Sequence, residues 1–294
     1  MPEGDTVWRT AQRLHAALSG DVLVQADLRW PSLATIDLRG RTVLEVVSAG
    51  KNLLTRIAAG PTTPPTTVHS HLRMEGSWRV HRTGEAVGPS RSADVRAVLG
   101  NDRWTALGLR LGMLDVVPTA EEGTLVGHLG PDLLGPDWDL DRAVAAIASA
   151  PERTIGEALL DQRNLAGVGT MYMAEALFLR GVTPWTPVRS LVGAPLRTLV
   201  ELCRRLLLTN STRAVQATTG DLRKGHERFV HARSGRPCRR CGTPVRVAGL
   251  GQAPQDRVAF WCPRCQQGPT PTDDGRPQRP LGASGRRTPR GYRP

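Results

Sequence analysis

Apolar positions along the chain keep two different periods, and the change between them divides it. Over Asp5–Leu18 the residues Val7, Ala11, Leu14 and Leu18 fall at i, i+4, i+7 and i+11, one face of a helix. Asp5 is the expected N-cap, since its carboxylate can accept from the first unpaired backbone N–H groups. From about 21 to 117 short apolar runs alternate with turn residues, including the loop Gly60-Pro61-Thr62-Thr63-Pro64-Pro65. The expected strands are Val22–Trp30, Thr42–Ser48, Leu53–Ile57, Thr67–Leu72, Ser77–His81, Val95–Leu99 and Gly112–Val117. Several short strands behind one helix predict a β-sandwich or barrel-like first domain.

Between about 118 and 138 the chain is rich in Gly, Pro and acidic residues and reads as an interdomain linker. Helical pattern then runs from Asp139 to about Leu208. Thr154-Ile155-Gly156-Glu157 is a capping-box sequence, predicting a helix to about Arg163. The turn Asn164-Leu165-Ala166-Gly167-Val168-Gly169 precedes a second helix, from Thr170 to about Arg180. Residues 238–265 form a separate small unit. Residues 269–294 hold six Pro and four Gly and little that is apolar, too little to fold, so a disordered tail is expected.

Composition narrows the function. The 294 residues suit two domains, and 39% are hydrophobic, enough for real cores. No run of about 18 apolar residues is present, so no transmembrane helix is expected. The start, Met-Pro-Glu-Gly-Asp, lacks the basic and apolar regions of a signal peptide, which points to the cytoplasm, with nucleoid association if the source is bacterial. The net charge of +12 favours polyanions, chiefly nucleic acid. The tail contributes +4 of it, from six Arg and two Asp, so +8 remains in the body. Only two of the 39 basic residues are Lys, namely Lys51 and Lys224. Lys can shift its pKa and act chemically where Arg cannot.

Cys238-Arg-Arg-Cys241 and Cys262-Pro-Arg-Cys265 are two C-x-x-C pairs separated by twenty residues. Each can place two thiolates on one tight turn, and two such turns supply the four tetrahedral ligands of one structural Zn²⁺. Four cysteine ligands leave no open position, so this zinc folds the protein and does no chemistry. Arg246 to Phe260 alternates like a hairpin carrying Arg257, a DNA contact or a solvated surface arginine. Cys203 reads as a small buried hydrophobe.

At the N-terminus, Pro2 is small enough for Met1 to be removed, exposing a secondary amine. An α-amino group titrates near ~8, against ~10.4 for Lys, and is partly neutral and nucleophilic at pH 7. Such an amine can attack a sugar C1′, expel the base and form a Schiff base. Glu3 beside it could protonate the opened sugar or shuttle protons. Taken alone, these residues read as an ordinary terminus, and the chemical reading gains force only in combination with others.

Four widely spaced elements together resemble the formamidopyrimidine-DNA glycosylase/endonuclease VIII family of bifunctional DNA glycosylases. They are Pro2-Glu3-Gly4-Asp5; Ala49-Gly50-Lys51-Asn52-Leu53-Leu54 with Ser70-His71-Leu72-Arg73-Met74-Glu75-Gly76; Leu160-Asp161-Gln162 through Ala166-Gly167-Val168-Gly169; and Pro237-Cys238 to Cys265-Gln266 with Arg257. The resemblance covers about residues 2–268, and the Pro-Glu-Gly-Asp start is closer to the endonuclease VIII branch. It implies an α+β protein: an N-terminal β-sandwich with leading helix (1–125), a linker (126–138), a helical helix-two-turn-helix domain (139–222), a four-Cys zinc-finger hairpin (223–268) and a basic tail (269–294).

The resemblance also implies roles. Pro2 is the Schiff-base nucleophile, Glu3 the general acid/base, and Lys51 the lysine near the lesion phosphates and the reacting sugar. Met74, with Arg73, fills the gap left by the flipped-out nucleotide. Arg257 holds a phosphate, and Gly167 and Gly169 let backbone N–H groups approach phosphate at a helix N-terminus. Thr170 stands where the family usually has Asn, and its hydroxyl can donate to phosphate. The implied activity is removal of oxidised bases, pyrimidines preferred, from damaged double-stranded DNA, with β,δ-elimination by a monomer whose tail could contact repair proteins. A non-catalytic lesion- or junction-binding module on the same scaffold would not need a free N-terminal amine. A zinc-ribbon transcription or ribosome factor would explain the cysteines and the charge, but neither the N-terminal set nor the Gly-x-Gly turn.

Overall fold

The computed structural model describes residues 2–86, 90–252 and 256–271. The tail expected to be disordered lies, from residue 272 on, outside the described residues, and the expected repair-protein contacts lie there with it.

Helix α1 spans Gly4–Leu18. Its expected apolar face is the buried one: Val7, Ala11, Leu14 and Leu18 are all 2% exposed or less. The cap differs from expectation. Glu3, not Asp5, is the N-cap, and no side chain caps this end. The Glu3 carboxylate is turned away to other donors, described below. Asp5 is buried inside the first turn and accepts from Gln216 Nε2 at 2.8 Å.

Eight strands follow: β1 (Gln25–Leu28), β2 (Val43–Ala49), β3 (Asn52–Ile57), β4 (Thr66–His71), β5 (Ser77–Arg82), β6 (Val95–Gly100), β7 (Trp104–Leu109) and β8 (Met113–Pro118). They form two four-stranded antiparallel sheets, ordered β1-β6-β7-β5 and β2-β3-β4-β8. The expected first strand is shorter than Val22–Trp30, with Val22 held only by an isolated bridge to Thr42. Strand β7 was not expected. Its Gly108, a residue that weakens a strand, is required by packing: a Cβ there would lie 2.7 Å from Leu111 Cδ1 and 3.2 Å from the Trp78 ring. One core, including Leu14, Val46, Leu53, Val68, Trp78, Leu99 and Leu114, joins α1 to the sheets.

A short helix α2 (Gly123–Val126) leads to α3 (Leu140–Ala148), α4 (Ile155–Leu160), α5 (Thr170–Arg180) and α6 (Ala194–Ser211). The segment between them is packed, with Leu133 fully buried and its amide on Ala166 O. At α4 the Thr154 hydroxyl accepts from the Glu157 amide and bonds its carboxylate, the expected start. The helix ends at Leu160, not Arg163. Asp161 turns extended there, and its carboxylate accepts from the Arg163 amide and from the side chains of Arg153 and Arg163. Helix α5 has the expected limits and is buried continuously from Met171 to Phe178. Cys203 is fully buried on α6, as expected. Among the described residues no helix is long and apolar enough to cross a membrane.

The cysteine unit is a hairpin, β9 (Arg246–Leu250) with β10 (Arg257–Trp261), packed on Phe178 and Phe229 through Val247 and Phe260.

Candidate active site

The N-terminal segment is seated on the Gly-x-Gly turn that opens α5. The Gly4 amide donates to Gly167 O at 2.9 Å. The fully buried Glu3 carboxylate accepts from the amides of Gly169 (2.8 Å), Met171 (2.7 Å) and Tyr172 (3.3 Å). These are the donors that every helix start leaves unpaired. A carboxylate also meets the positive end of the helix dipole there. The glycines make the fit possible. A Cβ on Gly169 would lie 2.5 Å from Glu3 Cδ, one on Gly4 would lie 2.9 Å from Gly167 Cα, and Gly167 has φ +107°.

Both glycine amides, expected from the sequence to approach phosphate, have partners within the chain. The Gly169 amide serves Glu3, and the Gly167 amide donates to Gln162 Oε1 at 3.0 Å. Gln162 also donates to Leu160 O and Val168 O, bracing the turn from behind. The half-buried Thr170 has a hydroxyl without a hydrogen-bond partner among the described residues.

Lys51 arrives from the other sheet. Ala49 pairs with Asn52 across a tight turn, so Gly50 (φ +57°) and Lys51 form the tip of the β2–β3 hairpin. The tip abuts the same glycine turn: a Cβ on Gly50 would lie 3.0 Å from Ala166 Cβ. Asp132 pins it, accepting from the Gly50 amide at 2.8 Å and from the Leu134 amide at 3.0 Å.

The electrostatics follow from burial. Removal from water raises the Glu3 carboxyl pKa above the usual range, against the opposing pull of Lys51 and the three amides. Burial lowers the Lys51 pKa, Glu3 opposes that shift, and Arg257 adds to it. His71, at the end of β4, is pushed down to about 4 by burial and then by Arg73 and Lys51, so its ring is neutral at physiological pH. Its Nδ1 accepts from the Arg73 amide at 2.9 Å. The charges of Glu3, Lys51, Arg257 and Arg73 thus act on one locality, which the neutral His71 ring shares.

Pro2 opens into a cleft of about 580 Å³ that also touches Thr6, Gln216, Arg228 and His231. Its far wall is held by Glu175, a fully buried carboxylate on α5. Glu175 accepts from the amides of Phe229, Val230 and His231, each at 2.8 Å, and from the Thr218 hydroxyl. One helix therefore fixes Glu3 at its first turn and the cleft wall at its second.

The remaining sequence candidates lie around this centre. Met74 is 67% exposed, which excludes a core role, and sits beside Arg73 (φ 52°), itself exposed. Arg257 is exposed at the start of β10 and lines a groove with Arg153 and Asp161. Cys238, Cys241, Cys262 and Cys265 present Sγ atoms all within 4.8 Å of one another. Two of these separations are 3.9 and 3.5 Å. Tetrahedral sulfur ligands at about 2.3 Å from a metal stand about 3.8 Å apart, so this cluster could bind one ion.

Sequence reasoning gave no role to Asp132 or Glu175, nor to Gln162 and His71, which it quoted only as members of motifs. Glu175 carried a signal: it is the one charged residue in Met171–Phe178, an otherwise uncharged helical run, where a buried charge needs partners.

Comparison with known proteins agrees with this geometry. Residues 1–110 match the formamidopyrimidine-DNA glycosylase N-terminal domain, and residues 129–221 match the formamidopyrimidine-DNA glycosylase H2TH domain. The "Probable endonuclease 8 2" of Streptomyces coelicolor is 52% identical over 94% of this chain and 98% of its own length. The "DNA-(apurinic or apyrimidinic site) lyase Nei2" of Mycolicibacterium smegmatis is 44% identical over 90% of this chain and 99% of its own. In three dimensions, the Lactococcus lactis Fpg, solved with abasic-site DNA, superposes with a TM-score of 0.74 at 21% identity, covering 91% of this chain and all of that one.

Proposed function

The chain belongs to the formamidopyrimidine-DNA glycosylase family, and from that premise we propose that it is a base-excision DNA glycosylase and AP lyase working through its N-terminal proline. It binds damaged duplex DNA as a monomer, removes an oxidised base, pyrimidines preferred, and cuts the strand behind it. Its place of work is the cytoplasm, at the bacterial nucleoid.

The observation that carries this reading is the seating of Glu3. A carboxylate fully removed from water, on three helix-start amides, lies next to an N-terminal residue that opens into a cleft. With Met1 removed, the Pro2 nitrogen attacks the sugar C1′, the bond to the base breaks, and the base leaves with its electron pair. Loss of the amine proton and opening of the C1′–O4′ bond, with O4′ taking a proton from Glu3, give an iminium that acidifies the C2′ proton; the Glu3 carboxylate accepts that proton, and the 3′-phosphate departs by β-elimination. A δ-elimination then releases the 5′-phosphate, leaving a one-nucleotide gap with phosphate ends. Glu3, whose pKa burial raises, holds a proton closer to neutrality than an exposed carboxyl can and returns it to the opening sugar. Lys51, Arg257 and Thr170 hold the phosphates around the lesion, and Met74 with Arg73 fills the gap in the helix. The cysteine cluster holds one Zn²⁺, which folds the β9–β10 hairpin carrying Arg257 and takes no part in the chemistry.

The test is strand cleavage. Untagged protein is expected to cut a duplex containing one thymine glycol, leaving phosphate on both sides of the gap. Glu3→Gln is expected to lower base excision by about a hundred-fold or more, the usual range for a lost general acid, with duplex affinity within about three-fold. Tight binding without any cleavage by the unmodified chain would promote the lesion-binding module instead.

A further inference from the structure

The arginines on the walls of the Pro2 cleft are not equivalent. Arg9 donates to the carbonyls of Asn210 and Arg213, and both terminal nitrogens of Arg233 are committed to the carbonyls of Phe229 and Pro237. Arg236 is exposed. Arg228 is different. Among the described residues its one side-chain partner is His231 Nδ1, at 3.3 Å, so its terminal nitrogens are largely uncommitted, and its Nε, like that of Arg233, is buried with no acceptor. The imidazole it faces is pushed down to about 3 by burial and by Arg228 itself, so it offers a neutral acceptor and no counter-charge. An unmet buried donor in a native structure calls for an explanation.

The backbone around Arg228 is fixed on both sides. Its carbonyl accepts from Arg239 Nε at 3.0 Å, and the next three amides are those held by Glu175. The guanidinium is therefore presented ready-made rather than gathered by a ligand. Among the described residues no Phe, Tyr or Trp lines the cleft, whose walls instead carry hydrogen-bonding side chains such as Gln216, Arg228 and His231. A thymine saturated at its 5,6-bond has lost its flat face but keeps carbonyl oxygens at C2 and C4. The Pro2 nitrogen must reach C1′, the atom that carries the base, so a base displaced toward this nitrogen enters the same cleft.

We propose that Arg228 is a specificity-determining residue, its Nε and terminal N–H groups donating to the carbonyl oxygens of a displaced, ring-saturated pyrimidine. This rests on the glycosylase–lyase reading above. A phosphate oxygen would satisfy the same donors, and the experiment separates the two.

Single-turnover excision from a duplex carrying one 5,6-dihydrothymine would be compared with strand cleavage of the same duplex carrying a preformed abasic site. Wild type, Arg228→Met and Arg228→Lys would be measured at equal zinc content and equal melting temperature. Arg228→Met is expected to lower the ratio of excision to abasic-site cleavage by about ten-fold or more, the effect of one charged hydrogen bond. Arg228→Lys, a point charge without the planar fork, is expected to recover less than about a third of that loss. Equal falls in both activities, or full rescue by Lys, would overturn the proposal in favour of a phosphate contact. An unchanged ratio in Arg228→Met would overturn it outright. A wild type that cleaves the abasic duplex but leaves dihydrothymine in place would overturn it while sparing the lyase reading. A wild type that cleaves neither would overturn both.

Discussion

Glu3 shows how much one side chain depends on what its neighbours lack. Its carboxylate fits against α5 only because Gly169 has no Cβ and Gly4 can approach Gly167. Gly169→Ala would force a methyl to within 2.5 Å of the Glu3 carboxyl carbon, too close for any real contact. We expect this single methyl to displace Glu3 and reduce base excision nearly as far as Glu3→Gln does. Duplex affinity should change little, since no DNA-facing side chain is touched. Excision within about three-fold of wild type would contradict this placement of Glu3. At this scale the sequence told the residue types but not their partners. Pro2, Glu3, Lys51, Gly167 and Gly169 were all legible as members of one site. That the glycine amides face Glu3 and Gln162 was not, because a helix-start amide accepts any anion and the chain order does not say which one reaches it.

Helix α5 carries most of the organisation at the level of elements. Its limits, like the apolar face of α1 and the start of α4 at Thr154, were legible because period and capping are local signals. Strand β7 was not legible, since its Gly108 reads as a break and is explained only by Leu111 and Trp78 across the packing. The Asp5 cap misled for a similar reason: a carboxylate at a helix start was recognised, but Gln216, 211 residues away, claims it. Glu175 is the element's second anchor. Glu175→Gln would turn one acceptor into a donor facing the amides of 229–231, leaving buried groups unmet at a cost of about 2–3 kcal/mol. Urea unfolding would measure that loss. Hydrogen exchange at the amides of Phe229, Val230 and His231 should rise well above that of the β2–β3 hairpin. Unchanged exchange at those amides would show that the wall does not hang on this carboxylate.

For the molecule as a whole, one core lies around α1 and the sheets, one around α3–α6 and one under the cysteine hairpin, and the N-terminus and the Lys51 hairpin both abut the turn that opens α5. Titration of this assembly should be visible in its stability. His231 is held neutral in the folded state, down to about 3, against an ordinary value near 6.5. Below pH 6.5 the unfolded chain therefore binds a proton that the folded chain refuses, and stability is lost as pH falls. For a buried histidine this amounts to about 2 kcal/mol at pH 5. Glu3, Asp5 and Asp132, whose pKa values burial raises, act in the opposite sense, so the total slope is a difference. The telling comparison is between wild type and His231→Gln: the variant should lose less unfolding free energy between pH 7 and pH 5. Parallel curves would contradict a neutral, buried His231.

The central claim is that the amine of Pro2, and no other, forms the covalent bond to DNA. Lys51 is a real competitor, since burial lowers its pKa and it lies in the same locality. The direct measurement is to incubate the untagged protein with a duplex containing one oxidised pyrimidine, add borohydride, and map the trapped adduct by peptide mass spectrometry. The account predicts an adduct on the N-terminal peptide, at Pro2 with Met1 removed, that disappears in Pro2→Gly and survives in Lys51→Arg. An adduct on Lys51, or none even with a preformed abasic site, would contradict it.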